Sequence, residues 1–450
     1  MMKQIDRPMF TGRQLFSLLW PLMAEQLLAV FVGMVDVLMV SSVGETAVSG
    51  VALVDSINIL IIQILFGLTS GGAVVCARCA GNGDYRGASH SGAQMLTLTV
   101  SFAAVVSTLL LVSGRFLLRA IFGQIETAVM QNAYIYLNLT VLSFPFLAMY
   151  NSGAAIFRSA GNTRVSLVVS LIMNVLNIAG NALCIFGLKM GVEGVAIPTV
   201  ISRGVAALLI LMWLQRPPSA FRIESAREFV PDWPVIRRIC AIGIPSGMES
   251  GIFQFGKLTL QSLVSTMGTA SIAAYAVASN LVTYLYLPGN ALGAGMLTVV
   301  GQCVGANRKD EARAYAWRLV LINYCLLAVI CSIMISGRHI LVGWYNLSAE
   351  SAGLAQGLVL IHAIAMVIWP LAFLFPYYFR ATGNAAKIMV IAIFSMWVFR
   401  VGLAHVYIRV LHMNVLGAWY AMFVDWIFRA IVFMLMYRRM RVAGRTSEAS

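Results

Sequence analysis

Charge is scarce in this sequence. Asp, Glu, Lys and Arg make up 11% of the 450 residues, while 60% are hydrophobic and the mean hydropathy is +0.85. A water-soluble chain of this length has no core large enough to hide so much apolar surface, so a soluble globular fold is excluded and the bilayer is the solvent. Period-2 alternation of apolar and polar residues is also missing, which excludes an outer-membrane barrel. What remains is helical.

Apolar stretches near or above the roughly 20 residues needed to cross the hydrocarbon recur along the whole chain. We read spans at 14–40, 47–76, 91–114, 133–156, 164–188, 191–214, 239–265, 270–303, 316–337, 355–378, 386–410 and 414–437, twelve in all. The expectation is an all-α integral membrane fold.

Acidic residues number 17 against 31 basic ones, a formal charge of +14 that would suit nucleic acid. The position of those charges argues otherwise. With twelve spans laid down, 22 of the 31 Lys and Arg fall on one side of the membrane and five (Arg115, Arg119, Lys189, Arg338 and Arg409) on the other. By the positive-inside rule both termini are predicted cytoplasmic, and the basic balance is an orientation signal with no nucleic-acid partner. No charged, short apolar, small-residue leader precedes the first span, so that span is expected to stay in the membrane.

Catalytic and cofactor signatures are sparse. The five His (His90, His339, His362, His405 and His412) are scattered, which speaks against an intramembrane enzyme. Cys76 and Cys79 form a lone CxxC with no second pair or His partner, too few ligands for a structural zinc site. The glycine-containing sequences GNGDYRGA (81–88) and GANRKDEA (305–312) lack the Gly-Lys-Ser/Thr ending and preceding strand of a phosphate loop. Their glycines are instead expected to supply a left-handed turn before a helix restarts.

Those two sequences belong to an internal repeat. At an offset of 224, Pro21 meets Pro245, Glu25 meets Glu249, Gly44 meets Gly268, Gly71 meets Gly295, Cys79 meets Cys303, Gly81 meets Gly305 and Ala88 meets Ala312. At 222, FRSAGN (157–162) meets FRATGN (379–384), and at 223 Gly194 meets Gly417. Each copy holds six spans, an even number, so the halves are parallel repeats about an axis along the membrane normal. The predicted organisation is a cytoplasmic amino terminus (1–13), a first six-helix bundle (14–214), a Pro- and Arg-rich cytoplasmic linker (215–238), a second bundle (239–437) and a basic tail (438–450).

A charged side chain at the bilayer centre costs about 2.5–3.5 kcal/mol on insertion scales, so each one needs a reason. The acidic candidates are Glu25, Asp36, Asp55, Glu249 and Asp425, and the basic ones Arg203, Lys257, Arg400 and Arg429. Asp36 lies in GMVDVLMV, with Gly33 one turn earlier leaving room for a cation. It is the leading candidate for a sodium or proton site. Asn174, Asn177 and Asn181 on the fifth span and Thr199 on the sixth offer oxygen atoms, and the 177/181 spacing puts two amides on one helix face. If sodium couples transport, Asp36, Asn177 and Asn181 are its expected ligands.

The second repeat has Leu260 where the first has Asp36. Glu249, Phe253, Lys257 and Gln261 instead form a mostly polar stripe on the seventh span. Lys257, paired with Glu249 or Asp425, is predicted either to stand where a mobile cation would otherwise sit or to make a structural ion pair. Glu25 and Glu249 each follow a proline by four residues, which fits a shared structural role in which Pro21 and Pro245 bend their helices.

The two-by-six repeat, FRSAGN and FRATGN, NVLNIAGNALCIFG running into GVEGVAIPT, and GIPSGMES together resemble the multidrug and toxic compound extrusion family over about residues 14–437. The resemblance implies a V-shaped pair of lobes and an antiporter that exports amphipathic, often cationic, organic compounds against inward sodium or proton movement. It implies no cofactor beyond that coupling ion. It places the family's first-helix acidic residue at Asp36, its fifth-helix residues at Asn177 and Asn181, and its sixth-helix threonine at Thr199. Asn181 stands where the archaeal pattern is acidic, implying one negative charge fewer. The carboxy-terminal cation site of other members is not carried over, because Phe253 stands at its glutamate and the tenth span has no acid. Asp425 matches a polar position on the twelfth helix.

The expected partners are thus a small organic substrate and the lipid of a bacterial-type inner membrane, with the protein a monomer. A rival reading is a flippase for lipid-linked precursors, which would want several cations around a phosphate and could draw only on Arg203, Lys257, Arg400 and Arg429.

Overall fold

A computed structural model describes residues 8–123, 126–216 and 226–449. Residues 1–7 of the predicted amino terminus, 217–225 of the predicted linker and Ser450 of the tail lie outside the described residues. Among the described residues there is no strand. Nine helices among the described residues are long and apolar enough to cross a membrane, and two bent pairs count as one span each. The seventh span, Trp233–Val264, is a continuous 32-residue helix whose polar stripe lowers its hydropathy. With it, the described residues hold twelve spans.

The helices run past the apolar stretches that announced them. The second extends over Glu45–Gly81 and the third over Tyr85–Phe122, because charge marks the hydrocarbon edge and not the end of the hydrogen-bond ladder. Local side chains start them. Thr11 and Gln14 cap the first helix reciprocally, and the Gly87 N–H donates to Asp84 at 2.8 Å at the start of the third. Two spans are broken in ways the hydropathy did not show. Thr127–Leu142 and Phe144–Ser159 meet at 43°, and Ala349–Ala365 and Pro370–Ala381 at 66°. Each break precedes a proline, Pro145 or Pro370, which donates no ladder hydrogen bond.

By compactness the chain divides into one unit of Met1–Gly247 with Leu297–Glu311, and a second of Met248–Met296 with Ala312–Ser450. The boundary crosses the seventh span instead of falling in the 215–238 segment. In the first unit Gly67 of the second span packs so closely on the seventh that an added Cβ would lie 2.2 Å from the Gly247 nitrogen. The start of the seventh span is held too. Fully buried Gln94 donates to the carbonyls of Glu228 and Val230 at 2.7 Å each and accepts from the Asp232 N–H at 2.9 Å.

The repeat is visible as a reciprocal contact. A Cβ on Gly81 would meet the Gln302 carbonyl oxygen at 2.0 Å, and one on Gly305 would meet that of Arg78 at 2.0 Å. Gln302 is the repeat equivalent of Arg78, so the two copies touch through the same residues in both directions. Gly81 and Gly305 serve close approach, while the predicted left-handed turn is made by another glycine of the first sequence and by an asparagine in the second. The left-handed positions are Gly83 (φ 76°) and its counterpart Asn307 (φ 58°).

A second pair of matched contacts lies within the repeats themselves. In the first, Glu25 accepts from Ser166 at 2.9 Å and Tyr150 at 3.2 Å and lies 3.6 Å from Arg158. In the second, Glu249 accepts from Arg380 at 2.7 Å. Both carboxylates follow a proline inside a helix that continues through it, Pro21 in Gly12–Ser41 and Pro245 in Trp233–Val264.

Candidate functional site

Asp36 faces a cavity of about 350 Å³ within the first unit, walled by the first, second, fourth, fifth and sixth spans. Asn181 donates to Asp36 Oδ1 at 2.8 Å and to Asn177 Oδ1 at 3.4 Å. Asn177 in turn donates to Thr199 Oγ at 3.1 Å, and the Thr199 hydroxyl donates to the Val195 carbonyl at 2.9 Å. The four residues predicted from sequence therefore form one chain of hydrogen bonds. Helical spacing produces it, because Asn177 and Asn181 are one turn apart and the fifth and sixth spans pack side by side. Asn174 lines the same cavity but donates to Ser170 at 3.3 Å, outside the chain.

The arrangement leaves an oxygen free. Asn181 is fully buried and its Oδ1 has no hydrogen-bond partner, although a buried amide oxygen normally finds one. Together with the Asp36 carboxylate it offers the hard oxygen atoms that a sodium ion takes. A proton on Asp36 is the other chemistry the site can perform, since half-burial beside neutral amides suits either state of the carboxyl.

Two residues not placed in the predicted site line this cavity. Asp55 accepts from Asn58 at 3.2 Å and from the Tyr136 hydroxyl at 3.3 Å, and Arg203 donates to Ser143 Oγ at 2.6 Å. Asp55 on the second span thus supplies a second carboxylate where Asn181 lacks one, and Arg203 sets a positive charge beside the two in the same cavity. The signal was present in the sequence as two more charges inside spans. Their convergence required the fold.

The second unit is built differently. Asp425 is fully buried, accepts from Arg429 Nε at 2.8 Å and from Ser395, and lies 3.7 Å from Arg400. Lys257 pairs with neither Asp425 nor Glu249, correcting the sequence expectation. Arg429 and Arg400 take the first carboxylate and Arg380 the second, and Lys257 sits exposed with its ammonium 5.9 Å from the Phe253 ring. Three of the histidines have partners as well: His90 bonds Asp232 at 2.9 Å, buried His362 bonds Tyr286 at 2.9 Å and Trp419 at 3.0 Å, and His405 bonds the Val401 carbonyl at 3.0 Å.

The MatE family profile matches residues 21–183 and 245–406, one match in each repeat. The chain belongs to the MatE family. Among relatives of this MATE protein, it is 25% identical over 442 residues to the probable multidrug resistance protein NorM of Thermotoga maritima, covering 94% of this chain and 92% of that one. It is 26% identical over 445 residues to the uncharacterized transporter YisQ of Bacillus subtilis, covering 97% and 96%. A multidrug resistance MATE family transporter solved in an outward-facing conformation superposes with a TM-score of 0.90 at 20% identity, covering 96% of each chain. This MATE chain is therefore a multi-pass membrane transporter and not an enzyme, with a twelve-helix fold.

Proposed function

We propose that this protein is an antiporter that exports amphipathic organic compounds, cationic ones among them, in exchange for sodium or protons by alternating access of its two halves. The observation that carries the reading is Asp36, a carboxylate inside a membrane span, facing a cavity and held by Asn181 at 2.8 Å beside an amide oxygen with no partner. Binding a cation neutralises Asp36 and weakens its hold on Asn181. Cation occupancy is thereby linked to the packing of the first span on the fifth, and this is the coupling step we assign. The names of relatives such as the Thermotoga maritima protein support the substrate class. Asp36 and Asp55, two carboxylates against the single cation Arg203, leave the cavity net acidic toward an organic cation.

The protein acts without a further cofactor in this reading. It resides as a monomer in a bacterial-type inner membrane with both termini cytoplasmic, as the asymmetric distribution of Lys and Arg supports.

The test is ethidium export from vesicles containing the full chain, with sodium and pH gradients imposed separately, for the natural protein and Asp36→Asn. One gradient is expected to drive export, and Asp36→Asn to reduce it by about tenfold or more, within the usual range of coupling between sites. Undiminished export by Asp36→Asn removes that residue from the mechanism.

A further inference from the structure

We infer that the second unit holds a binding site for an anionic group, namely a carboxylate carried on an aromatic body, formed by Lys257, Arg400 and Arg429 around Phe253. The Arg400 guanidinium lies 5.2 Å from the Phe253 ring centre, that of Arg429 5.7 Å and the Lys257 ammonium 5.9 Å. Three of the four basic residues inside spans thus converge on one ring. Asp425 is the single carboxylate paired with them, and Glu249 is committed to Arg380. The cluster carries more positive than negative charge.

The cluster is also incompletely bonded. Arg400 is 5% exposed, yet its Nε and Nη1 have no hydrogen-bond partner, and its 3.7 Å approach to Asp425 is too long for one. Arg429 is better bonded by comparison, donating to Asp425 at 2.8 Å and to the Ala392 carbonyl at 3.0 Å. An ion pair of Asp425 with Arg429 alone would be neutral, so structural pairing does not explain Arg400 and Lys257. A planar guanidinium with free N–H groups matches a carboxylate, and exposed Lys257 gives the cluster an accessible edge.

The surroundings choose the body of the ligand. Phe253 meets Phe373 edge-on at 6.0 Å, Phe373 stacks on Trp369 at 5.4 Å, and Trp369 stacks on Tyr286 at 5.6 Å. A continuous aromatic wall beside uncompensated cations suits an aromatic acid and repels both organic cations and sodium. This inference rests on the transporter reading and extends its substrate class to compounds bearing an anionic group.

Equilibrium binding of radiolabelled 1-naphthoate to the purified full chain tests it. Saturable binding is expected, weakened about tenfold by Lys257→Gln and by Phe253→Leu, neither of which breaks a buried ion pair. Competition by 1-naphthylmethylammonium should be absent. The inference is overturned by a lack of saturable binding, by binding in the two variants as tight as in the unmodified protein, or by displacement with inorganic phosphate, which would reassign the cations to a lipid phosphate. Gradient-driven ethidium export by the unmodified protein is measured on the same preparation. Export without naphthoate binding counts against this site alone, and naphthoate binding without export counts against the antiporter reading alone.

Discussion

The two repeats hold their buried charge in opposite ways. Asp36 in the first is half-buried, bonded only to a neutral amide, and beside an oxygen with no partner. Asp425 in the second is fully buried and committed to Arg429 and Ser395, with Arg400 close by. One carboxylate is held by a neutral amide and can accept a cation, while the other already faces permanent cations, bonded to Arg429 through Oδ1 with Arg400 3.7 Å from its otherwise unbonded Oδ2. A duplicated bundle can therefore keep its helices and exchange its chemistry, because the backbone contacts that define the fold lie elsewhere, at Gly81 against Gln302 and Gly305 against Arg78.

The largest effect that would sharpen this contrast is at Asp425. Asp425→Asn strands buried guanidinium groups, and removing one partner of a buried ion pair costs about 3–5 kcal/mol. Thermal unfolding of the purified protein should show that loss, whereas Asp36→Asn, which keeps an acceptor oxygen for Asn181, should cost only about 1 kcal/mol. Equal destabilisation by the two would end the distinction between a structural and an exchangeable carboxylate.

The matched glutamates are expected to differ less. Glu249→Gln loses a charged bond to Arg380 at 2.7 Å and should cost about 2–3 kcal/mol, while Glu25→Gln, with hydroxyl donors and Arg158 at 3.6 Å, should cost about 1 kcal/mol. The same unfolding assay ranks them, and the reverse order would mean that the two pairs do not do the same job.

Smaller again is Asp55→Asn. Its amide oxygen still accepts from Tyr136 and Asn58, so stability should change by under about 1 kcal/mol, while the cavity loses one of its two carboxylates. The reading of Asp55 as the replacement charge predicts several-fold weaker ethidium export at limiting gradient. Export equal to that of the natural protein would restrict the acidic site to Asp36.

The smallest effect is at the aqueous edge of the first repeat. A hydrogen bond from His90 holds the Asp232 carboxyl below the usual carboxylate range. Its folded form thus binds protons less readily than the unfolded chain, so the contribution is complete above the ordinary carboxylate value of about 4 and is lost as pH falls below it. A slight fall in melting temperature on acidification should disappear in His90→Gln, and its persistence would assign the pH response to other groups.

Twelve spans, their approximate edges and the parallel repeat were readable without coordinates, because each depends on local hydropathy or on identities kept in register. Asp36, Asn177, Asn181 and Thr199 were readable for a similar reason: a polar atom inside hydrocarbon stands out, and a spacing of four residues fixes a shared helix face. The breaks before Pro145 and Pro370 were not, since proline is tolerated in membrane helices and its presence does not say whether the axis turns.

Pairing was the other matter left to the fold. Lys257 had two carboxylates within sequence reach and took neither, because Arg380 and Arg429 compete for them from helices far along the chain. Asp55 and Arg203 were visible as charges, but only helix packing brought them to the cavity of Asp36. The sequence by itself determined that this is a duplicated helical membrane protein with a few costly charges in its spans. The tertiary structure alone decided which charges meet, because helical spacing orders side chains along one helix and says nothing about the rotation and depth at which the next helix packs.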